Sequence, residues 1–269
     1  MTTFTLYNGD CLEVMKDISA NSIDLIICDL PYGCLEKQGR SEESRKKYNR
    51  GGGLGANKGC SWDVKIDLTA FWKEVKRIRR NEHSPTIHFC TTKFGFDLYA
   101  SNPDEFRYDL VWDKQRGVSF LSANKMPMRS HEMVYVFSKA GAYYNRIDIS
   151  GDFPAWEKEP NSIRKGQVYT NEMKRTASGG AGKRCALSVL DIKQKASYQM
   201  KGGHPTEKPV DLYKFLIERY CPVGGTVLDP TFGSCNSGRA SEALNRNYIG
   251  IEKDETFYKK AVKSLIGEE

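Results

Sequence analysis

The order of apolar runs and helical patterns along 269 residues predicts an α/β chain. Its core is a seven-stranded, mostly parallel, doubly wound sheet with helices on both faces and one inserted segment. Three observations carry this expectation. Short strand-like runs recur, helical periodicity fills the gaps between them, and one long stretch fits neither pattern.

The runs are Thr5–Asn8, Ile23–Cys28, Thr86–Thr91, Asp109–Trp112, Met133–Ser138, Gly225–Leu228 and Tyr248–Glu252. Their shortness and their β-branched and aromatic content suit strands covered on both faces. Leu68, Phe71, Trp72, Val75 and Ile78 follow helical spacing, as do Leu212, Phe215, Leu216 and Tyr220. Two further helices are expected over residues 237–244 and 255–266. Residues 34–60 contain Gly51-Gly52-Gly53-Leu54-Gly55 after a charged run and read as a long mobile loop. Residues 140–203 have weak periodicity and paired glycines (Gly179-Gly180, Gly202-Gly203), and read as an insertion. The expected organisation is therefore 1–139, an inserted 140–203, and 204–269.

Composition narrows the class. No apolar stretch is long enough for a transmembrane helix, and the first residues lack the basic-then-apolar pattern of a secretion signal. Eight scattered cysteines, with no CxxC pair and no Cys/His cluster, argue for reduced thiols and against a zinc site. The net charge of +7 is unevenly placed: residues 34–60 carry +4 and residues 140–203 carry +5, leaving the remainder slightly acidic. Two basic segments on a near-neutral scaffold fit a polyanionic partner, although basic loops alone are also compatible with simple solvation.

Two constellations carry chemistry. In the first, Asp29-Leu30-Pro31-Tyr32-Gly33 directly follows an apolar strand, which places Asp29 on the rim where open α/β sheets bind ligands. Pro31 stiffens the turn and biases Leu30 towards extended backbone. A carboxylate, turn carbonyls and the face of Tyr32 together could hold a planar ring bearing an exocyclic amine. By itself, the same run also suits an ordinary strand-ending turn.

In the second, Val227-Leu228-Asp229-Pro230-Thr231-Phe232-Gly233-Ser234 leads from a strand through a Gly/Ser turn into a helix. The next strand ends on Glu252, about 20 residues later, the spacing at which a carboxylate takes ribose hydroxyls of a nucleotide cofactor. The turn is neither GxGxxG nor GxxxxGK[ST], which disfavours a nicotinamide dinucleotide and excludes a P-loop.

These two runs resemble motifs IV and I of amino-methyltransferases acting on DNA. Asp29-Leu30-Pro31-Tyr32 is similar to the D/N/S-P-P-Y/F/W signature, and Asp229-Pro230-Thr231-Phe232-Gly233-Ser234 to the DPFxGSG cofactor loop. The catalytic motif precedes the cofactor motif, a permuted order that resembles the β group. His204-Pro205-Thr206-Glu207-Lys208-Pro209 resembles the HPTxKP element of that group, and Asn8-Gly9-Asp10-Cys11 its early GD element. Arg129-Ser130-His131-Glu132 resembles its RxxHE run. Only the two basic segments lie outside the likeness.

The resemblance implies a Rossmann-like methyltransferase fold and transfer of a methyl group from S-adenosylmethionine to a flipped base in double-stranded DNA. It favours adenine N6 over cytosine N4, because Asp rather than Ser opens the catalytic motif. A degenerate DNA-binding protein on the same fold is the more distant alternative. It implies catalytic roles for Asp29, Leu30, Pro31 and Tyr32, and cofactor contacts from Asp10, Cys11, Thr206, Lys208, Asp229, Pro230, Phe232, Gly233, Ser234 and Glu252. No metal is implied. Residues 1–139 then form the catalytic half with its loop, 140–203 a target-recognition insertion, and 204–269 the cofactor half. The expected setting is the cytoplasm of a prokaryotic or phage-infected cell, with a homodimer compatible and no membrane. Two positions depart from the pattern. Leu30 stands where a first proline is usual, though only its carbonyl is needed. Cys235 stands where glycine is usual, and its thiol either crowds the cofactor or points into the helix.

Overall fold

The computed structural model describes residues 2–32, 65–118, 120, 123–152, 182–194 and 207–265. The loop expected over 34–60, Thr206 and most of the expected insertion therefore lie outside the described residues.

The main unit comprises Met1–Asn145 with Ser188–Glu269. Its strands are β1 (Phe4–Asn8), β2 (Leu25–Cys28), β3 (Thr86–Cys90), β4 (Phe106–Val118), β5 (Arg129–Phe137), β8 (Val189–Asp191), β9 (Thr226–Asp229) and β10 (Asn247–Glu252). They form one eight-stranded sheet in the order β1-β10-β9-β2-β3-β5-β4-β8. Pairing is parallel from β1 through to β3 and again between β4 and β8, while β5 runs antiparallel to both β3 and β4.

Alternation across the central strands explains both helical layers. Leu25, Ile27, Ile87 and Phe89 face one core, where they meet α4 (Val210–Tyr220), α5 (Asn236–Ala243) and α6 (Glu255–Leu265). Ile26, Cys28 and Cys90 face the other, against α1 (Cys11–Asp17), α2 (Leu68–Ile78) and α3 (Thr92–Ser101). Every residue of β2 and β3 is buried, as unbroken apolar runs demand when both faces are covered. Helix α2 buries Phe71, Trp72, Val75 and Ile78 on one stripe, each contributing about 1.5–3 kcal/mol. Asp67 starts that helix by accepting from the backbone N–H groups of Thr69 and Ala70.

All seven expected strands are present, and the sheet has one more. The extra strand, β8, lies within the expected insertion, where three residues are too few to display a period. It is held to the sheet edge by pairing with β4 and by the Trp112 indole N–H, which donates to the Ile192 carbonyl at 2.7 Å. Within the expected insertion 140–203, the separate compact unit is Arg146–Leu187. Its described part contains the short antiparallel pair β6 (Ile149–Ser150) and β7 (Lys183–Arg184). Strand β4 also outruns its expected Asp109–Trp112, because its polar continuation keeps pairing with β5 as far as Val118.

One core residue makes stability depend on pH. His88 on β3 is fully buried, ringed by Phe71, Trp72 and Phe137, and neither ring nitrogen has a hydrogen-bond partner. Burial pulls its pKa down to about 3. The unfolded chain binds this proton below about pH 6.5 whereas the folded chain does not. The contribution of His88 is thus complete above that pH and is lost as pH falls towards about 3. Asp229 acts in the opposite sense, since burial raises its carboxyl to about 7 and favours the folded state in acid. His88→Phe separates the two. The variant should lose about 2 kcal/mol less stability than the native chain between about pH 7 and pH 5. Urea titrations at both pH values check this, and equal losses would refute it.

Candidate active site

Four carboxylates come to one rim because four parallel strands lie side by side. Asp10 follows β1, Glu252 ends β10, Asp229 ends β9 and Asp29 follows β2. The chain leaves β9 for β10 on one side and β2 for β3 on the other, so the crevice between β9 and β2 is the switch point at which such sheets bind ligands. The Thr231 hydroxyl spans this crevice and donates to the Asp29 carbonyl at 3.2 Å.

On the β2 side, both oxygens of the Asp29 carboxylate are engaged. The Tyr32 hydroxyl donates to Oδ1 at 2.7 Å, and the Lys208 ammonium donates to Oδ2. The Tyr32 ring leans on Phe94 with centroids 5.1 Å apart. Burial, reinforced by the Asp29 charge, raises its phenol well above the ordinary value, so the hydroxyl remains a donor. Leu30 is buried in the core behind the turn. Behind Asp29, Glu132 lies 3.6 Å from Lys208 Nζ and accepts from the Lys114 ammonium. Burial opposes the Lys208 charge, but Asp29 and Glu132 outweigh it and hold the ammonium above its usual pKa. Burial likewise opposes ionisation of Glu132, and Lys208 with Lys114 reverses the balance.

On the β9 side, the turn is built by its own acids. Asp229 is buried and accepts from Thr231 N at 3.0 Å and from Ser237 Oγ at 2.6 Å. Glu252 accepts from Gly233 N at 2.8 Å and from Asp254 N at 2.8 Å, and burial raises its pKa. Gly233 takes φ +52°, a left-handed conformation that glycine adopts without cost. The Phe232 ring closes over Gly250, where an added Cβ would stand 2.8 Å from the ring. Cys235 is fully buried, with Sγ 3.6 Å from the Tyr248 hydroxyl. Its thiol therefore points into the core beneath α5, and burial pushes it up to about 12.

The expected cofactor residues thus divide. Asp10, Gly233, Ser234 and Glu252 keep exposed surface on the rim. Cys11, Asp229, Pro230 and Phe232 are buried and shape it from below. Asp10 also caps α1 through Leu12 N and pairs with Lys253 at 3.1 Å. Lys208 turns to Asp29 rather than to the cofactor turn. Glu132, Lys114, Thr231 and Asn236 were not expected as site residues. A signal existed for Lys114: it continues the inward alternation of Leu110 and Trp112, where a charged side chain is out of place. Asn236 ties Glu207 and the Lys208 carbonyl to the start of α5, each at 2.7 Å. Among the described residues, no group of three His, Cys, Asp or Glu is placed to hold a metal ion.

Known proteins resemble this chain in sequence and in fold. The type II methyltransferase M.HinfI of Haemophilus influenzae is 28% identical over 272 residues, spanning 97% of this chain and 68% of its own. The crystal structure of the M1.HpyAVI–SAM complex superposes with a TM-score of 0.59 at 19% identity, covering 98% of this chain and 100% of that one. The cytosine-N4-specific PvuII DNA methyltransferase gives a TM-score of 0.63 at 17% identity, covering 98% and 87%. The N6_N4_Mtase model, DNA methylase, spans residues 23–263, and so takes in both the Asp29–Tyr32 turn and the Asp229–Ser234 turn. With both halves of the rim inside that match, the chain belongs to the N6/N4 DNA methylase family.

Proposed function

We propose that the chain transfers a methyl group from S-adenosylmethionine to N6 of an adenine flipped out of duplex DNA. The observation that carries this is the crevice itself: an amine-accepting carboxylate and a nucleotide-type turn face each other, linked by Thr231 to Asp29 at 3.2 Å. The rim fits the cofactor, since Glu252 presents a carboxylate beside the Gly233-Ser234 turn and Asp10 follows the neighbouring strand β1. When bound there, S-adenosylmethionine supplies an electrophilic methyl on a sulfonium.

The protein's own task is to hold the amine. Asp29 Oδ1 exchanges the Tyr32 hydroxyl for an N–H of the entering base, which frees the tyrosine ring to stack on it. Such stacking is worth about 1–3 kcal/mol per base and offsets part of the cost of extruding the nucleotide. Asp29 acts as acceptor and orienter rather than as strong base. Held by Asp29, the amine nitrogen would present its lone pair to the cofactor side of the crevice, and its proton, acidic only once the nitrogen carries the methyl group, would pass to water.

Residues 140–203, centred on the unit Arg146–Leu187, supply base-reading side chains, with Arg, Lys, Asn and Gln as readers in the major groove. Sequencing DNA from cells expressing the chain, with its nucleosides separated by mass, tests both readings. N6-methyladenine in a fixed context is expected, and a relative's segment in place of 140–203 should move that context. N4-methylcytosine, the product class of the PvuII enzyme, would overturn the adenine reading. A chain that binds DNA but no S-adenosylmethionine in calorimetry would be a degenerate binder.

A further inference from the structure

Lys208 is a buried cation with an unusual set of attachments. Its side chain is 3% exposed, and its ammonium meets Asp29 Oδ2, lies 3.6 Å from Glu132 Oε2, and stands 4.9 Å from the centre of the Phe89 ring. Glu132 is held on its other oxygen by Lys114, so two cations and two carboxylates alternate in one row. The main chain of Lys208 is anchored elsewhere. Its carbonyl accepts from Asn236 Nδ2 at 2.7 Å, and Asn236 is the first residue of α5, one residue beyond the Gly233-Ser234 turn.

A row of this kind is poor value as a stabilising device. Burying ions costs several kcal/mol each, and well-packed apolar residues of similar volume usually serve stability as well. What the row does uniquely is fix geometry. The backbone of Lys208 is registered on the cofactor side of the crevice while its charge grips the carboxylate on the other side. With Oδ2 paired to Lys208, the orientation of the Asp29 carboxylate is fixed, and Oδ1 is the oxygen that Tyr32 occupies and an entering amine would take.

We infer that Lys208 is a positioning residue, a strut that sets the Asp29 carboxylate at a fixed place relative to the cofactor turn, with Glu132 and Lys114 steering the strut. This rests on the reading of Asp29 as the amine acceptor. It replaces the cofactor contact that the HPTxKP resemblance implied for Lys208.

The test uses the full chain with Lys208→Met, Lys208→Arg and the double variant Lys208→Met/Glu132→Gln. The last removes one carboxylate and so rebalances the buried charge. Single-turnover methyl transfer, the KM for DNA, S-adenosylmethionine binding by calorimetry, and melting are measured for each. Lys208→Met should slow transfer about 100-fold, the typical consequence of a misplaced reacting group, with cofactor affinity and KM changed by less than about threefold. The double variant should regain melting temperature without regaining rate, and Lys208→Arg should recover part of the rate. Loss of cofactor affinity in proportion to rate would overturn the proposal in favour of a cofactor contact. Recovery of rate together with melting temperature in the double variant would reduce Lys208 to a structural role and overturn it equally. Normal transfer by Lys208→Met overturns it alone, whereas a native chain that transfers no methyl group overturns the underlying reading and the strut with it.

Discussion

Asp29→Ala should lower methyl transfer by at least about a thousandfold while cofactor affinity stays within about threefold of the native value, a barrier increase of about 4 kcal/mol. The separation follows from where the side chain is held. Asp29 touches Tyr32 and Lys208, whereas the carboxylate beside the Gly233 turn belongs to Glu252. Alanine removes the carboxylate that accepts from both the Tyr32 hydroxyl and the Lys208 ammonium, so the amine would enter a site facing an unmasked cation. Asp29→Asn preserves shape and one acceptor oxygen but brings an NH2 group towards either Lys208 or the amine. It should fall between alanine and the native residue. Single-turnover assays at saturating cofactor, with calorimetry on the same preparations, distinguish the outcomes. Near-native turnover by Asp29→Ala would remove Asp29 from the chemistry, and parallel loss of cofactor binding would mean that the variant has damaged the turn.

Much of this site was legible because strand ends announce themselves. Ile23–Cys28 is apolar and β-branched, so the acid after it had to lie at a strand's carboxyl end, and the same holds for Asp229 and Glu252. What could not be read from pattern is which strand lies beside which. The Lys208–Asp29 contact joins residues 179 apart in the chain, and nothing in the local sequence of either names the other. Helix α1 was missed because its seven residues make barely two turns, too few to show a period. Helix α3 was missed because Phe96 and Tyr99 are exposed and blur its apolar face, which Phe94 and Leu98 define. Cys235 taught the reverse lesson. Its type left open whether the thiol crowds the cofactor or points into the helix, and its left-handed backbone at φ +57° turns the thiol inward towards Tyr248.

Glu252→Ala should weaken S-adenosylmethionine binding by about 10- to 100-fold, and transfer at subsaturating cofactor should fall by the same factor. Two jobs are proposed for the native carboxylate. It accepts from Gly233 N and Asp254 N, each at 2.8 Å, which holds the turn closed, and it retains further lone pairs for ribose hydroxyls. Hydrogen bonds to a charged acceptor are worth about 1.5–3 kcal/mol, which sets the size of the effect. Glu252→Gln keeps the side-chain length but replaces one acceptor oxygen with a donor that would confront a backbone N–H. Its affinity should therefore lie nearer alanine than glutamate. Because burial raises the Glu252 pKa, protons compete for this carboxylate at a higher pH than for an exposed glutamate. Cofactor affinity of the native chain should accordingly fall as pH is lowered, and this dependence should be weaker in Glu252→Gln, where residue 252 has no proton to gain. Calorimetric titrations across acidic to neutral pH measure both effects. Equal pH dependence in the two proteins would show that another group governs it, and unchanged affinity in Glu252→Ala would place the cofactor away from this turn.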